Sequence, residues 1–430
     1  MPRPSLTAVL TSNLLFFTIL ESQAAHAMTL DEIYGQALQQ SEVLQTSQID
    51  INIAGSERDR ALTLIKPRVA LSADGTYHIN KYDKADWDNN WDSGVRTEFR
   101  QPLYDGGVSS ASIAVAKAGI ETSKWDYKTN EQNLYLQISS LFYELIAQNK
   151  DLLNLEETIK IYKQRIGDLN QREKIGRSRE AEVLAARTQL ELTNSMIVAT
   201  KINIGAAEEQ LAWLSGQKPP LTLEDNLEVS EIQSTIIPQT KAMLPSVEAA
   251  QARINAADAQ IDLVRTGLNP SLDFIAAHNW RYLDASQEGY HDFAIGLGLN
   301  WILYDAGSVN AAVTTASLQK SRAAVQKQLA DREGDLNLNI AKRKLTDSLL
   351  QIKTYRSALD VVERTLKSQQ AEFASGLITN LELLTTLDQR LEIRRNIDQA
   401  IYRAKLLYVQ TQVYAGASVP APAASSPAAR

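Results

Sequence analysis

Apolar residues recur at steps of four and three from Leu134 through Ile138, Leu141, Leu145, Leu152, Leu155, Ile159, Tyr162, Ile166 and Leu169, with Gln148 filling one position. Held for about five heptads, that spacing is a coiled-coil seam. A second seam has Leu345, Ile352, Leu359, Leu366 and Phe373 seven apart. No proline interrupts the stretch from Ser109 to Lys174, so the pattern predicts a helix of ~65 residues, on the order of 100 Å at ~1.5 Å per residue. Gly176 and Gly376 stop the two seams. Helices returning from Val183 and from Leu381 then retrace them, with small residues such as Ala186, Ala207, Ala400 and Ala404 allowing close approach. Two antiparallel helical hairpins with glycine-marked tips are expected.

The pattern changes to period two after Pro67, where Val69, Leu71, Ala73, Tyr77 and Ile79 alternate with Ser72, Asp74, Thr76 and His78. Gly94 to Tyr104 places Val95, Phe99 and Leu103 opposite Arg96, Glu98 and Arg100. After Pro270 come Leu272, Phe274, Trp280 and Tyr282, and then Phe293, Ile295, Leu297, Leu299, Trp301 and Leu303 against Ala294, Gly296, Gly298 and Asn300. These are strands wet on one face. Each run of about 11 residues fits a tilted transmembrane strand, although a soluble sandwich shows the same alternation. Lys81 to Asp92 and Asp284 to His291 read as polar and aromatic loops. Four strands are too few to close a barrel, which starts at about eight, so a membrane reading implies an oligomer.

The chain is written twice, about 200 residues apart. Leu103-Tyr104-Asp105-Gly106-Gly107 returns as Leu303-Tyr304-Asp305-Ala306-Gly307, and Gly176, Glu182, Gln189 and Gly216 return as Gly376, Glu382, Gln389 and Gly416. The expected organisation is a first repeat over 28–216, with a strand hairpin at 68–104 and a helical hairpin at 108–215. An irregular segment at 217–243, with Pro219, Pro220 and Pro238, joins it to a second repeat over 244–416, with hairpins at 271–304 and 308–416. An Ala/Pro-rich tail at 417–430 cannot bury a core. Residues 1–27 have the basic, apolar and Ala25-His26-Ala27 layout of a secretory signal, so the mature chain is expected to begin near Met28; the alternative is an N-terminal membrane anchor.

Composition removes several classes of function. Lys+Arg of 44 against Asp+Glu of 51 gives a net charge of −7 and no basic face, which argues against a nucleic-acid partner. Without cysteine there is no disulfide and no lipid-attachment residue. No stretch after the signal has the length of a membrane-spanning helix, so a membrane protein of this sequence must use a closed barrel. His78, His278 and His291 stand apart in the sequence and read as surface or lumen polarity, with neither a metal cluster nor a catalytic constellation. Gly296-x-Gly298 is only a fragment of a dinucleotide fingerprint. Asp105 and Asp305 read as caps at strand-to-helix junctions. The chain is read as no enzyme and as carrying no cofactor.

Strand hairpin, long helix and helical hairpin in duplicate resemble the TolC family of outer-membrane channel-tunnels. The openings at Pro67 and Pro270 carry the resemblance, together with Q-P-L-Y-D-G-G and W-I-L-Y-D-A-G, and the tips K-I-G-R-S-R-E-A-E-V-L and A-S-G-L-I-T-N-L-E-L-L. The resemblance implies a mainly α protein with β: a homotrimer pooling four strands per chain into a transmembrane β-barrel in outer-membrane lipid, continued by a coiled-coil α-helical barrel as a periplasmic tunnel. It implies an exit duct of a tripartite efflux pump or type I secretion system, opened at its periplasmic tip by a periplasmic adaptor and an inner-membrane pump or ABC transporter. Glu182 and Glu382 match acidic gate positions, and a ring of Glu382 would favour cations. Thr385 stands where the family has a second acid, which Asp388 is placed to replace. Phe373 and Ile378 stand in place of a tyrosine and an arginine that latch the hairpins, and Arg177 or Arg179 is an alternative partner for Glu182. Gly176, Arg177, Gly376 and Leu377 are the expected adaptor contacts. The competing class is a periplasmic adaptor or coiled-coil scaffold without channel activity. Cargo is not legible.

Overall fold

The computed structural model describes residues 27–81, 87–234, 243–283 and 288–417. Nearly all of the expected signal and tail, the tips of both strand hairpins and part of the 217–243 joint lie outside them. The described elements are α1 (Leu30–Gln40), α2 (Glu42–Leu62), β1 (Arg68–Lys81), β2 (Trp87–Tyr104), α3 (Val108–Lys174), α4 (Glu180–Ser215), α5 (Val229–Ser234), α6 (Pro245–Arg265), β3 (Ser271–Leu283), β4 (Glu288–Asn300), α7 (Ser308–Ala374) and α8 (Asn380–Tyr414).

Both long helices run 67 residues, about 100 Å at ~1.5 Å per residue. Each starts from the same device. The Asp105 carboxylate accepts from the Gly107 and Ser109 amides at 3.0 and 2.7 Å, and Asp305 from those of Gly307 and Val309 at 2.9 and 2.6 Å. These amides have no intrahelical partner, so a carboxylate there satisfies them and meets the positive end of the helix. The hydrogen bonds from Val309 and Gly307 hold the Asp305 carboxyl below the usual range.

The helix α3 is the spine, packed against α2, α4, α6 and α8. Its returning partner α4 is about half as long. The end of α4 meets the end of α1, with Gly216 against the Gln40 side chain, and α2 takes over along the remaining length of α3. There Asn130 Nδ2 donates to Ser47 Oγ at 2.9 Å. In the second copy α6 fills the same role and is shared, pairing with α3 through Arg253–Asp126 at 2.5 Å and with α7 through Lys320–Asp258 at 2.6 Å. The largest apolar cluster gathers Ile33, Tyr34, Ile138, Phe142, Leu145 and Leu211 where α1, α3 and α4 meet. The described first part of the segment between the repeats is tied down as well, by an isolated bridge from Met28 to Leu223 and by a Lys405–Asp225 pair at 2.6 Å, largely shielded from water.

The sheet is four-stranded and antiparallel in the order β1-β2-β3-β4, so the two hairpins join through β2 and β3 and leave β1 and β4 as open edges. The strands run 14, 18, 13 and 13 residues, longer than the alternation suggests. Of the region 81–92, which reads from sequence as a loop, the described residues 81 and 87–92 are ladder, with Thr76 paired to Asp92 and Lys81 to Trp87. Pairing continues there although the sequence is polar at successive positions; where both faces of a strand are wet, the period-two signal vanishes while backbone hydrogen bonding persists. At the other end β2 continues to Tyr104, paired with β3, whereas β4 stops at Asn300 and Trp301 to Tyr304 have no strand partner among the described residues.

The two faces of the sheet differ sharply. One presents Val69 and Leu71 at 72% and 73% exposure and Leu297 and Leu299 at 66% and 68%, a contiguous apolar surface of the kind that marks contact with lipid or protein. The other carries charge. Glu98 accepts from Arg96 and Arg100 at 2.8 and 2.9 Å, and Arg100 also approaches Asp273 at 3.6 Å. Asp74 reaches Arg281 at 3.6 Å across the intervening strand, because the residue between them is Gly94.

Candidate gate at the hairpin tips

The helical hairpins close far from the sheet with matching turns. Gly176 has φ of 72° and Gly376 of 80°. In the first, the amides of Gly176 and Arg177 donate to Glu173 and Arg172 carbonyls at 2.9 and 2.8 Å; in the second, those of Gly376 and Leu377 donate to Phe373 and Glu372 carbonyls at 3.1 and 2.9 Å. This left-handed cap satisfies the orphan carbonyls of the ending helix. Gly176, Arg177, Gly376 and Leu377 are all exposed.

The two matched acids occupy the first turns of α4 and α8. Glu182 accepts from Ser178 Oγ at 2.7 Å, and of the two arginines proposed for it Arg179 lies at 3.9 Å. Glu382 closes a capping box with Thr379, accepting from its amide and hydroxyl at 3.4 and 3.1 Å, while remaining exposed. Thr385 is exposed on the same side of α8, and its hydroxyl donates to the Leu381 carbonyl at 2.9 Å.

Asp388 faces the other hairpin. It accepts a short hydrogen bond from the Tyr162 hydroxyl, whose ring is fully buried in the tip cluster with Leu169, Val183, Leu383 and Leu387. Burial pushes the Asp388 carboxyl above the usual carboxylate range, although the Tyr162 bond works in the opposite sense. One helical turn on, Arg165 Nε donates to Asn380 Oδ1 at 2.9 Å, and Asn380 Nδ2 donates to the Glu182 carbonyl at 3.3 Å. The guanidinium of Arg165 lies 3.7 Å from the centre of the Phe373 ring, that of Arg172 at 4.5 Å. Burial, with Arg172 nearby, draws Arg165 down to about 10, which leaves it charged at neutral pH. Ile378 packs at the edge of this cluster.

Above the tip the contact between α3 and α8 continues as ion pairs. Arg394 reaches Glu157 at 2.7 Å and Arg395 reaches Asp151 at 2.5 Å; Asn154 Nδ2 donates to Asp398 at 2.7 Å. Burial raises the Glu157 carboxyl, but the hydrogen bonds and charges of Arg394 and Arg390 outweigh it and hold the group below its ordinary value. From the sequence Tyr162 reads as seam core, and Arg165, Arg172 and the arginines of α8 carry no local mark that sets them apart. The available signal is the run of Asp151, Asn154 and Glu157 among apolar seam residues, with Arg390, Arg394 and Arg395 in the returning helix of the second repeat.

A duplicated strand hairpin with an exposed apolar face, carried on helical hairpins tied together at their far end, defines a channel-tunnel fold. A family model described as outer membrane efflux protein matches residues 33–217 and 236–415, and the chain belongs to that family. It is 23% identical over 398 residues to outer membrane protein TolC of Vibrio cholerae, covering 89% of each chain. It is 24% identical over 403 residues to TolC of Escherichia coli, covering 89% of this chain and 80% of that one. The fold is shared with the crystal structure of CusC at a TM-score of 0.79 and 16% identity, over 90% of this chain and 92% of the other. The protein is therefore an outer-membrane exit duct for efflux or type I secretion, with a periplasmic helical extension. Among the described residues no helix is long and apolar enough to cross a membrane.

Proposed function

We propose that three copies assemble so that β4 of one pairs with β1 of the next, closing a barrel of three times four strands in the outer membrane. The observation that carries this reading is the pair of unpaired edges on a sheet whose apolar face is exposed. Open edges are costly in lipid and a bare apolar face is costly in water; closure with further copies in the membrane removes the edges and sets that face against lipid. Trp301 to Tyr304, unpaired at the end of β4, continue that edge toward a neighbour. The helices follow the strands into a periplasmic tunnel whose mouth narrows at the tips.

In this reading a periplasmic adaptor contacts the exposed turns at Gly176, Arg177, Gly376 and Leu377, and an inner-membrane pump or ABC transporter supplies cargo. The tie from Tyr162, Arg165 and Arg172 to Asp388, Asn380 and Phe373 holds the two hairpins of one subunit together, and opening separates them. Exposed Glu382, repeated by threefold symmetry, sets negative potential in the narrow passage and favours cations. Purified protein should run as a heat-modifiable trimer and conduct in planar bilayers, and Glu382→Gln should reduce cation preference. A freely soluble monomer without conductance would overturn the assembly; unchanged selectivity would remove Glu382 from the passage.

A further inference from the structure

The apolar face of the sheet holds two polar side chains in contact with each other. His278 of β3 and His291 of β4 share the parity of Phe274, Trp280, Phe293 and Ile295, as the pairs Ala276↔Ile295 and His278↔Phe293 fix. Both are exposed. Their rings lie within 7° of parallel with centroids 5.4 Å apart, and His278 Nε2 is 3.3 Å from His291 Nδ1. Among the strand residues of this face whose side chains are described no Asp, Glu, Lys or Arg occurs, and Lys81, of the same parity, ends β1 two strands away from β3, so the two imidazoles face each other with no carboxylate or fixed cation beside them. Tyr77, Tyr104 and Tyr282 are the other titratable groups with described side chains there.

We propose that His278 and His291 form a bis-imidazole site for a divalent transition ion of the zinc or copper type, on the outward surface of the barrel near its distal rim. Two imidazole nitrogens bound to one four-coordinate ion at about 2.0–2.1 Å, at a tetrahedral angle, stand about 3.3–3.4 Å apart. The observed separation already has that value. Imidazole suits zinc and copper, and copper heads the first-row order of affinity. Each neutral ring carries one proton and one lone pair. In the ion-free pair one N–H lies between the rings; with the ion bound, both inner nitrogens ligate and each ring keeps its proton on the outer nitrogen. One ring changes tautomer, no proton is lost overall, and water completes the coordination. His291 is the fourth residue of β4 and His278 the sixth from the end of β3, so the pair sits close to the far end of the hairpin, where such water is at hand in the headgroup layer. The ion would pin β3 to β4 across the ladder, outside the conduit and independent of its cargo.

The channel reading of the previous section supplies the setting, while the two-nitrogen geometry stands without it. The test uses full-length protein in detergent, stripped with chelator and carrying no polyhistidine tag. Isothermal titration with Zn2+ should show one ion per chain, and His278→Gln and His291→Gln should each weaken it at least tenfold. Glutamine keeps a polar group for its neighbour and so guards against loss of fold; unchanged heat-modified mobility of the variants confirms it. Cu2+ should quench tryptophan emission through Trp280, paired directly with His291, and Trp280→Phe should remove that quenching without changing Zn2+ stoichiometry. Binding that is absent, non-saturable or equal in the variants would overturn the site. So would retention of inorganic phosphate, lost in the same variants, in place of Zn2+. Titration reads the hairpin whether or not the assembly conducts, so its failure and failure of the channel reading are separate results.

Discussion

Residues 105 and 305 are both aspartate, and each accepts two amide hydrogen bonds at the start of a 67-residue helix. Residues 162 and 362, also two hundred apart, are tyrosine and valine. The contrast holds along both copies. Tip glycines 176 and 376, acids 182 and 382, and glycines 216 and 416 agree, and they make or sit in matching turns. Every member of the tie between hairpins has lost its likeness: Arg165 against Thr365, Phe373 against Glu173, Asn380 against Glu180, Asp388 against Thr188. Shared residues are backbone devices that any hairpin needs, and differing residues are where one hairpin recognises the other. Position 106 shows the same division. An added Cβ at Gly106 would lie 2.7 Å from Asn269, at the covered junction between hairpins, while Ala306, at the open edge, takes φ of 57° with a side chain. Duplication supplies the scaffold, and divergence makes the two copies complementary.

Converting the first copy toward the second tests this most severely. Tyr162→Val removes a buried ring and leaves the Asp388 carboxylate without its donor. A hydrogen bond to a charged group contributes about 1.5–3 kcal/mol, and lost burial adds to it. The closed arrangement should weaken by about 3 kcal/mol, roughly a hundredfold in the closed-to-open ratio, read as open probability in planar bilayers. Val362→Tyr, the opposite exchange, should leave gating unchanged. Equal effects from both would end the division between scaffold and tie.

A smaller effect is expected from Phe373→Leu, which keeps most of the apolar volume and removes the ring beneath Arg165 and Arg172. Cation–π contacts contribute about 0.5–2 kcal/mol, so opening should rise by about tenfold. Combination with Tyr162→Val should be less than additive, because Tyr162 and Phe373 share one cluster. Strict additivity in a double-mutant cycle would show that tyrosine and phenylalanine belong to separate contacts.

Asp388 gives a pH dependence whose sign is fixed. Its carboxyl is raised in the closed form by burial, so the closed form binds more protons than an open form in which the group is hydrated. Closed-state stability is then greatest at acidic pH and is lost as pH rises through the raised value. Open probability should therefore fall as pH is lowered through that raised value. Asp388→Asn should flatten that response; a flat profile in the unaltered protein would place Asp388 in water when closed, and an opposite slope would show the Tyr162 hydrogen bond outweighing burial.

Legibility in the sequence follows the same line as the copies. Seams, strand alternation, tip glycines and Asp caps are written in neighbouring residues, and their spacing states the local geometry. The tie joins residues 226 positions apart in Tyr162–Asp388 and 215 apart in Arg165–Asn380. Each member taken singly is an ordinary helical residue. Asp388 reads as an acid near the gate, yet nothing local in the sequence reveals that it turns toward a seam tyrosine. The ends of the strands were hidden for another reason: outside the apolar band, polar residues on both faces erase the alternation on which strand reading depends.

The smallest expected effect is the one that should be equal in the two copies. Gly176→Ala and Gly376→Ala each place a Cβ on a left-handed residue, and at neither position does that atom meet anything within 4 Å. Contact is therefore removed from the comparison, and backbone strain of about 1–2 kcal/mol remains. Both variants should speed hydrogen exchange at the Arg177 and Leu377 amides, which close the two turns, by similar factors of roughly ten. Neither should change the Tyr162-dependent part of gating, because the glycines shape each turn without touching the opposite hairpin. If one tip proves far more sensitive than the other, then a neighbouring subunit or a partner protein contacts that turn, and the equivalence of the copies ends at their backbone.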